Sequence, residues 1–509
     1  MRGTFNDRQL VELRVSVGAF LASVALSAVH LYFDPLLNPD GVAYLAAAEA
    51  WLDQGYAAAA TVYPVPLYSV MIASTHAATG LGLLTSAHCL DALLIAVLVV
   101  ALQHLARAIG ASVRVQCIVV ALALLLPELN GYRSFLLRDF GYWVFSTLAL
   151  TCLVRYADAP GITRNIVFFG LCLVASAFRA EAIPMCVVMP AALLFGRARR
   201  PRAAAALYVP AAATAAIVGL TSVAWPEAAV GRWIPATIQS AFALAEDVPL
   251  HVRMQLDGFG TRVLDPQFHD YAAFGLAGGL VAMIVVHVAN AASLPLFAVA
   301  AIGVARRACG ILDRRRVAIL WTAFGIALTG LAAVLVSRGI IQTRYAMPAA
   351  LLIVVVAAFV LDGWYENAFE PRVRRRARFA SILLVLYFVA EDGYGLTNSK
   401  QHFVETAQWL VRNTPSDARI FTTDPRLLYL ADRHVDWHEA AGTRVGMEGP
   451  LAIDGFDYWA IYVPHGGVDP TFTDHLRVRP VARFENKNGN AFVIYQARSP
   501  TTDPGRGVR

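Results

Sequence analysis

Charge is what this 509-residue chain has least of: 15% of it is Asp, Glu, Lys or Arg, against 58% hydrophobic residues. A soluble chain of this length needs far more charge to cover its surface, so the class is integral membrane protein. Lysine is nearly missing, since 40 of the 42 basic residues are arginine. The arginines sit in short clusters between apolar runs, so the net charge of +6 belongs to membrane-face loops and not to a nucleic-acid surface. Cysteine is sparse as well. Cys89, Cys117, Cys152, Cys172, Cys186 and Cys309 lie in or beside apolar runs without ligand-like spacing, which predicts neither a disulfide framework nor a zinc site. There is no solenoid repeat and no low-complexity tract. The chain also lacks G-x-S-x-G, H-E-x-x-H, a P-loop and a G-x-G-x-x-G after a strand. "DWHEA" has no second zinc-protease histidine, and His434, His438 and His465 match no recognisable spacing.

What is present is apolar length. A span needs ~20 apolar residues. About eleven runs qualify, some of them short: 14–33, 86–106, 115–130, 140–157, 164–178, 182–196, 203–224, 272–304, 317–337, 345–361 and 378–391. The eighth is expected to turn near Pro295. The first is too long for the apolar part of a signal peptide and reads as an uncleaved anchor. The arginines then orient the spans. Segments at one set of span ends, from the N-terminus to "PRVRRRAR", hold 21, whereas the alternate set (34–85, 129–139, 179–181, 225–271, 338–344) holds 8. Positive charge stays inside, so the N-terminus is expected in the cytoplasm. An odd span count puts everything after Glu391 outside, in the periplasm if the membrane is a bacterial inner membrane.

After residue 391 the pattern changes. "QHFVETAQWLVRNTP" is an amphipathic helix, and "DPRLLYLADRH" begins another. "ARIFTTD", "YWAIYVPH", "PVARFEN" and "AFVIYQAR" alternate like strands, with "NKNGN" as a hairpin turn. The expected fold is an α-helical polytopic membrane protein of about eleven transmembrane helices with external juxtamembrane helices, plus a small α/β C-terminal external domain. The expected division is a membrane domain over 1–391, the external domain over 392–498 and a disordered tail over 499–509.

The reading places several charged residues at outer span ends: Asp40 in "NPDGVAY", Arg138 and Asp139 in "LLRDFGYW", Arg179 and Glu181 in "AFRAEAIP", and Arg344 and Tyr345 in "QTRYAMP". Tyr63 opens "YPVPLY", a Pro-broken segment suited to lie along the interface. Singly, each has a structural explanation. Asn38–Pro39–Asp40 is a helix start, with a cap, a first-turn proline and a first-turn acid. Arg138–Asp139 could be an interfacial ion pair, Arg179 and Glu181 a turn cap, and Arg344–Tyr345 an interfacial anchor. Together, with no matching set expected at the other end, they point to a site facing outward, because charge at membrane depth is costly unless it serves a polar cavity or a partner.

These pieces, in this order and on this side, resemble the C-type superfamily of membrane glycosyltransferases. The likeness is to the branch of protein O-mannosyltransferases, lipid A aminoarabinose transferases and related bacterial polyprenyl-phosphate-sugar transferases. It covers roughly residues 12–365 and, more loosely, the outer domain. "NPDGVAYLAAAEAWLDQGY" is similar to the family's first acidic motif, "LLRDFGYWVFSTLAL" to the second, "PVPLYSVMIASTHAATG" to the juxtamembrane helix, and "QTRYAMPAALLIVVVAAFVL" to the Arg-Tyr motif. The resemblance implies a polyprenyl-phosphate sugar donor, an external glycan, lipid or protein acceptor, and inverting transfer. It implies Asp40 as catalytic base, with Asp139 orienting an arginine or binding acceptor. Arg138, Arg179 and Arg344 would bind the lipid phosphate, with Glu181, Tyr345 and Tyr63 lining the substrate site. The first motif carries one Asp where oligosaccharyltransferases carry an Asp-x-Asp, so the expected site has no metal or other cofactor, and a divalent ion stays open. A polysaccharide polymerase or ligase, a lipid or lipid-linked glycan flippase, and a non-catalytic envelope-assembly protein are the alternatives.

Overall fold

The computed structural model describes residues 7–34, 36–195, 200–224, 248–305, 313–339, 341–366, 371–397, 400–433, 456–465 and 480–496. The expected tail over 499–509, His434 and His438 lie outside these residues. The apolar runs are helices, because in hydrocarbon a backbone must pair its N–H and C=O groups within its own segment. In chain order they are α1 (Asp7–Phe33), α2 (Pro39–Gln54), α3 (Tyr56–Val62), α4 (Leu67–Thr79), α5 (Leu83–Ala108), α6 (Val113–Leu124), α7 (Pro127–Gly131), α8 (Asp139–Asp158) and α9 (Ile162–Phe178). There follow α10 (Ile183–Val188), α11 (Pro201–Ala224), α12 (Ala272–Ala291), α13 (Leu294–Ala305), α14 (Arg314–Arg338), α15 (Thr343–Glu366) and α16 (Pro371–Thr397). Among the described residues, five helical stretches are long and apolar enough to cross a membrane: Asp7–Phe33, Leu83–Ala108, Pro266–Ala291, Arg314–Ser337 and Thr343–Tyr365. Shorter apolar helices accompany them, and the chain is an integral multi-pass membrane protein.

Length and apolarity alone therefore do not reach the expected eleven spans. The run over 182–196 is not one regular helix: α10 is flanked by 3-10 turns at Ala180–Ala182 and Met189–Leu194. Pro184 and Pro190 lack the N–H donors that a continuous helix would need there. The run over 272–304 breaks where expected. α12 ends at Ala291, Ser293 takes a left-handed φ of 64°, and α13 restarts with Pro295 in its first turn.

The C-terminal part is as read. α17 (Gln401–Asn413) and α18 (Pro425–Leu430) accompany strands β1 (Ile420–Thr422), β2 (Tyr458–Val463), β3 (Pro480–Glu485) and β4 (Ala491–Gln496). The sheet order is β1-β2-β4-β3, with β1 parallel to β2 and the other pairs antiparallel. Phe403, Ala407 and Leu410 of α17 pack with Leu427, Phe492 and Ile494 into a core that also takes in Leu36, from the link between α1 and α2. Lys400 donates to Asp34 at 2.6 Å, and α18 lies against α2.

The opposite end of the bundle carries ion pairs too, which corrects the expectation that it would have no such set. Buried Glu12 meets Arg8 at 3.2 Å and Arg107 at 3.0 Å, and Gln116 donates to it at 3.4 Å. Arg114 pairs with Asp362, and Arg316 with Asp158 at 3.3 Å. Apart from Arg8–Glu12, which lies within α1, these contacts tie helix to helix.

Candidate active site

Two close approaches assemble the sheet-domain end of the bundle. Asn38 occupies the cap position of α2, but its side chain does not cap the helix. It binds the backbone of Leu136 instead: its Oδ1 accepts from the Leu136 N–H at 2.7 Å and its Nδ2 donates to the Leu136 carbonyl at 3.1 Å. Gly41 completes the fit, since a Cβ there would lie 3.1 Å from that of Leu136. The second approach joins α8 to the end of α9. A Cβ on Gly141 would meet the Phe178 ring at 2.3 Å, so only glycine lets α8 come this close. The residue after Phe178 is Arg179.

With these contacts made, all eight residues expected at the site gather at helix ends. Asp40 and Asp139 stand in the first turns of α2 and α8, where the helix N-terminus favours negative charge. Arg179 caps the C-terminus of α9, where positive charge is favoured. It binds Asp139 and Glu181 at once, each at 2.5 Å. Arg344, in the first turn of α15, pairs with Asp40 at 2.8 Å. The Tyr345 ring carries both guanidiniums, Arg179 at 4.7 Å and Arg344 at 5.3 Å from its centroid. Arg138 lies over Tyr63 at 5.3 Å, within electrostatic reach of Asp139, Arg179 and Glu181. Burial alone would push the Glu181 carboxyl up, but Arg179 outweighs it and holds the group down at about 2.

The three arginines are therefore not equivalent. Arg179 is fully committed between two carboxylates. Arg344 has one carboxylate and a buried Nε with no partner among the described residues. Arg138 has no carboxylate within ion-pair distance among those residues. Arginine engages each of Asp40, Asp139 and Glu181, and no three His, Cys, Asp or Glu side chains among the described residues converge as metal ligands.

Asp139, Tyr142, Arg179, Glu181, Arg344 and Tyr345 line a small pocket of about 20 Å³, closed by the apolar flank of α14. That is room for a water molecule or so. Below it a second cavity of about 50 Å³ shares Tyr142 and Pro348 with the first, and shares Leu352 with a third. The third is apolar and large, about 490 Å³, between α12, α13, α14 and α15.

Reading the sequence missed the layer beneath these residues. Asp91 of α5 is fully buried and accepts hydrogen bonds from the Tyr68 hydroxyl at 2.6 Å and the Leu137 N–H at 3.3 Å. A signal was there, because a lone acid inside an apolar run marks a polar contact at membrane depth.

No protein-family model matches the sequence, and no curated protein matches it. Among solved structures the chain is similar to the apo oligosaccharyltransferase of Archaeoglobus fulgidus, with 12% identity and a TM-score of 0.53 over 83% of this chain and 64% of that one. The chain thus spans under two thirds of that enzyme. It is also similar to ArnT from Cupriavidus metallidurans bound to undecaprenyl phosphate (13% identity, TM-score 0.48, 94% and 97% coverage) and in the apo state (12%, 0.45, 94% and 97%). At such identities the common property is the fold.

Proposed function

We propose that this chain, which has the fold of the C-type membrane glycosyltransferases, transfers a pentose or hexose with inversion from a polyprenyl-phosphate donor to an acceptor at the outer face of the membrane. The observation that carries the reading is the group of three acids and three arginines at one end of the bundle, in which Arg138 meets no carboxylate within ion-pair distance among the described residues.

The chemistry follows from the pairing. Asp40 and Arg344 neutralise each other as a 2.8 Å ion pair. A donor phosphate competes for Arg344 and frees Asp40 to accept the proton of an acceptor hydroxyl. The hydroxyl oxygen then bonds to the sugar's anomeric carbon from the face opposite the phosphate. The carbon–oxygen bond to phosphate breaks, and polyprenyl phosphate leaves with the electron pair. Its growing negative charge is met by Arg138 and Arg344, whose planar forks suit phosphate oxygens. Arg179 holds Asp139 and Glu181 in place rather than binding phosphate. The apolar cavity between α12 and α15, separated from the polar pocket by a smaller cavity that shares lining residues with each, gives an isoprenoid chain a place to lie. In this reading the membrane is a bacterial inner membrane, the N-terminus is cytoplasmic and the sheet domain periplasmic.

The test is sugar transfer in membrane vesicles, with donor binding measured on the same preparations. Asp40→Asn keeps the shape but takes up no proton. It is expected to insert normally, bind donor and lose ~10²–10⁴-fold in transfer rate. Asp139→Asn should lose less. Transfer by Asp40→Asn at the wild-type rate removes the proposed base.

A further inference from the structure

Asp91 belongs to none of the site's charged pairs, yet it binds the loop that carries Arg138 and Asp139. Its Oδ2 takes both hydrogen bonds, from Tyr68 at the start of α4 and from the Leu137 N–H, one residue before Arg138 and two before Asp139. The Tyr68 ring stands edge-on to Tyr44 of α2 at 5.0 Å. Tyr44 stands edge-on to Tyr63 at 5.1 Å, and Tyr63 lies under Arg138. The neighbouring backbone position, Leu136, is gripped by Asn38, two residues before Asp40. Consecutive peptide groups are thus held by two buried side chains, one from α5 and one from the chain leading into α2.

We propose that Asp91 is a positioning residue for the transfer reaction. It fixes Arg138 and Asp139 relative to Asp40 and touches neither substrate. The work it does is that of an acceptor oxygen, because both donors converge on one atom and the other oxygen, Oδ1, has no partner among the described residues. An amide oxygen can accept the same two bonds. An aliphatic side chain accepts neither and leaves a buried hydroxyl and a buried N–H unpaired, which moves the loop.

This inference rests on the glycosyltransferase reading, so the test needs one readout that depends on that reading and one that does not. Transfer kinetics and hydrogen exchange over 132–139 are measured on the full-length protein in membranes, for the wild type, Asp91→Asn, Asp91→Leu and Tyr68→Phe. Asp91→Asn is expected within about 3-fold of wild-type kcat, with unchanged exchange. Asp91→Leu is expected to lose about 100-fold in kcat, the size of loss that a misplacement of an ångström produces, with faster exchange at Leu137. Tyr68→Phe keeps the ring and removes one bond, so it tests the idea even if Asp91→Leu does not fold; a loss of about 3- to 10-fold is expected. Wild-type kcat in Asp91→Leu or in Tyr68→Phe overturns the proposal, as does an Asp91→Asn as impaired as Asp91→Leu. Absence of transfer by the wild type counts against the glycosyltransferase reading, while the exchange pattern still decides whether Asp91 holds the loop.

Discussion

Arg344 is a cation in the first turn of α15, where the helix dipole disfavours positive charge. Its pair with Asp40 offsets that, and in the proposed mechanism donor phosphate takes the place of Asp40. Arg344→Ala should therefore weaken donor binding while leaving the chain folded, and Arg344→Lys should restore only part of it, because an ammonium lacks the bidentate fork. Donor affinity unchanged in both would make Arg344 an interfacial anchor. Gly141→Ala tests the contact that delivers Arg179. A Cβ pressed on Phe178 is expected to cost about 1–3 kcal/mol in a thermal melt and to lower transfer more than stability explains, as α9 is pushed from α8. The eight candidate residues could be picked out because each is a charged or aromatic side chain at the end of an apolar run, and the structure brings them together. Their partners could not be picked out. Nothing in "NPDG" says that Asn38 reaches Leu136 rather than its own helix, and nothing in "HCLDALL" says which loop Asp91 holds. Both bonds span dozens of residues and exist only once the helices are packed.

Among the elements, the sheet and its hairpin read clearly from alternation and turn chemistry, and so did the break near Pro295. The segment around α10 is apolar as read but irregular, a short α-helix between 3-10 turns, because composition does not announce where Pro184 and Pro190 interrupt the hydrogen-bond ladder. α17 adds something composition does not announce. His402 is buried, beside Phe403, Tyr462 and Phe492, and neither ring nitrogen has a partner among the described residues. Burial and then Arg426 hold its pKa below the ordinary value, and Glu405 offsets this only in part. A histidine normally titrates at about 6.5, so the unfolded chain takes up a proton there that the folded domain refuses. The histidine's contribution is full above that pH and lost as pH falls through it. Hydrogen exchange of β2 and β4 in the full-length protein should quicken from pH 7.5 to pH 5, and His402→Leu should flatten that dependence. A pH-independent wild type would show that the ring carries no such penalty.

For the whole molecule, arginine asymmetry is the argument for sidedness, and it makes a blunt prediction. A reporter fused to the C-terminus should work only on the outer side. A cytoplasmic signal would change the parity of the spans and turn the site inward. Leu36 has a different consequence. It is among the first residues made, yet the core that receives it is finished by Ile494, 458 positions later. At roughly 5–20 residues per second, synthesis separates the two by about 20–90 s. The segment leading into α2 thus waits for the end of the chain before the core around Leu36 is complete. A ribosome stalled just short of β4 would leave Asn38 already able to grip Leu136 and Asp40 able to meet Arg344, while the core that receives Leu36 still lacked Phe492 and Ile494.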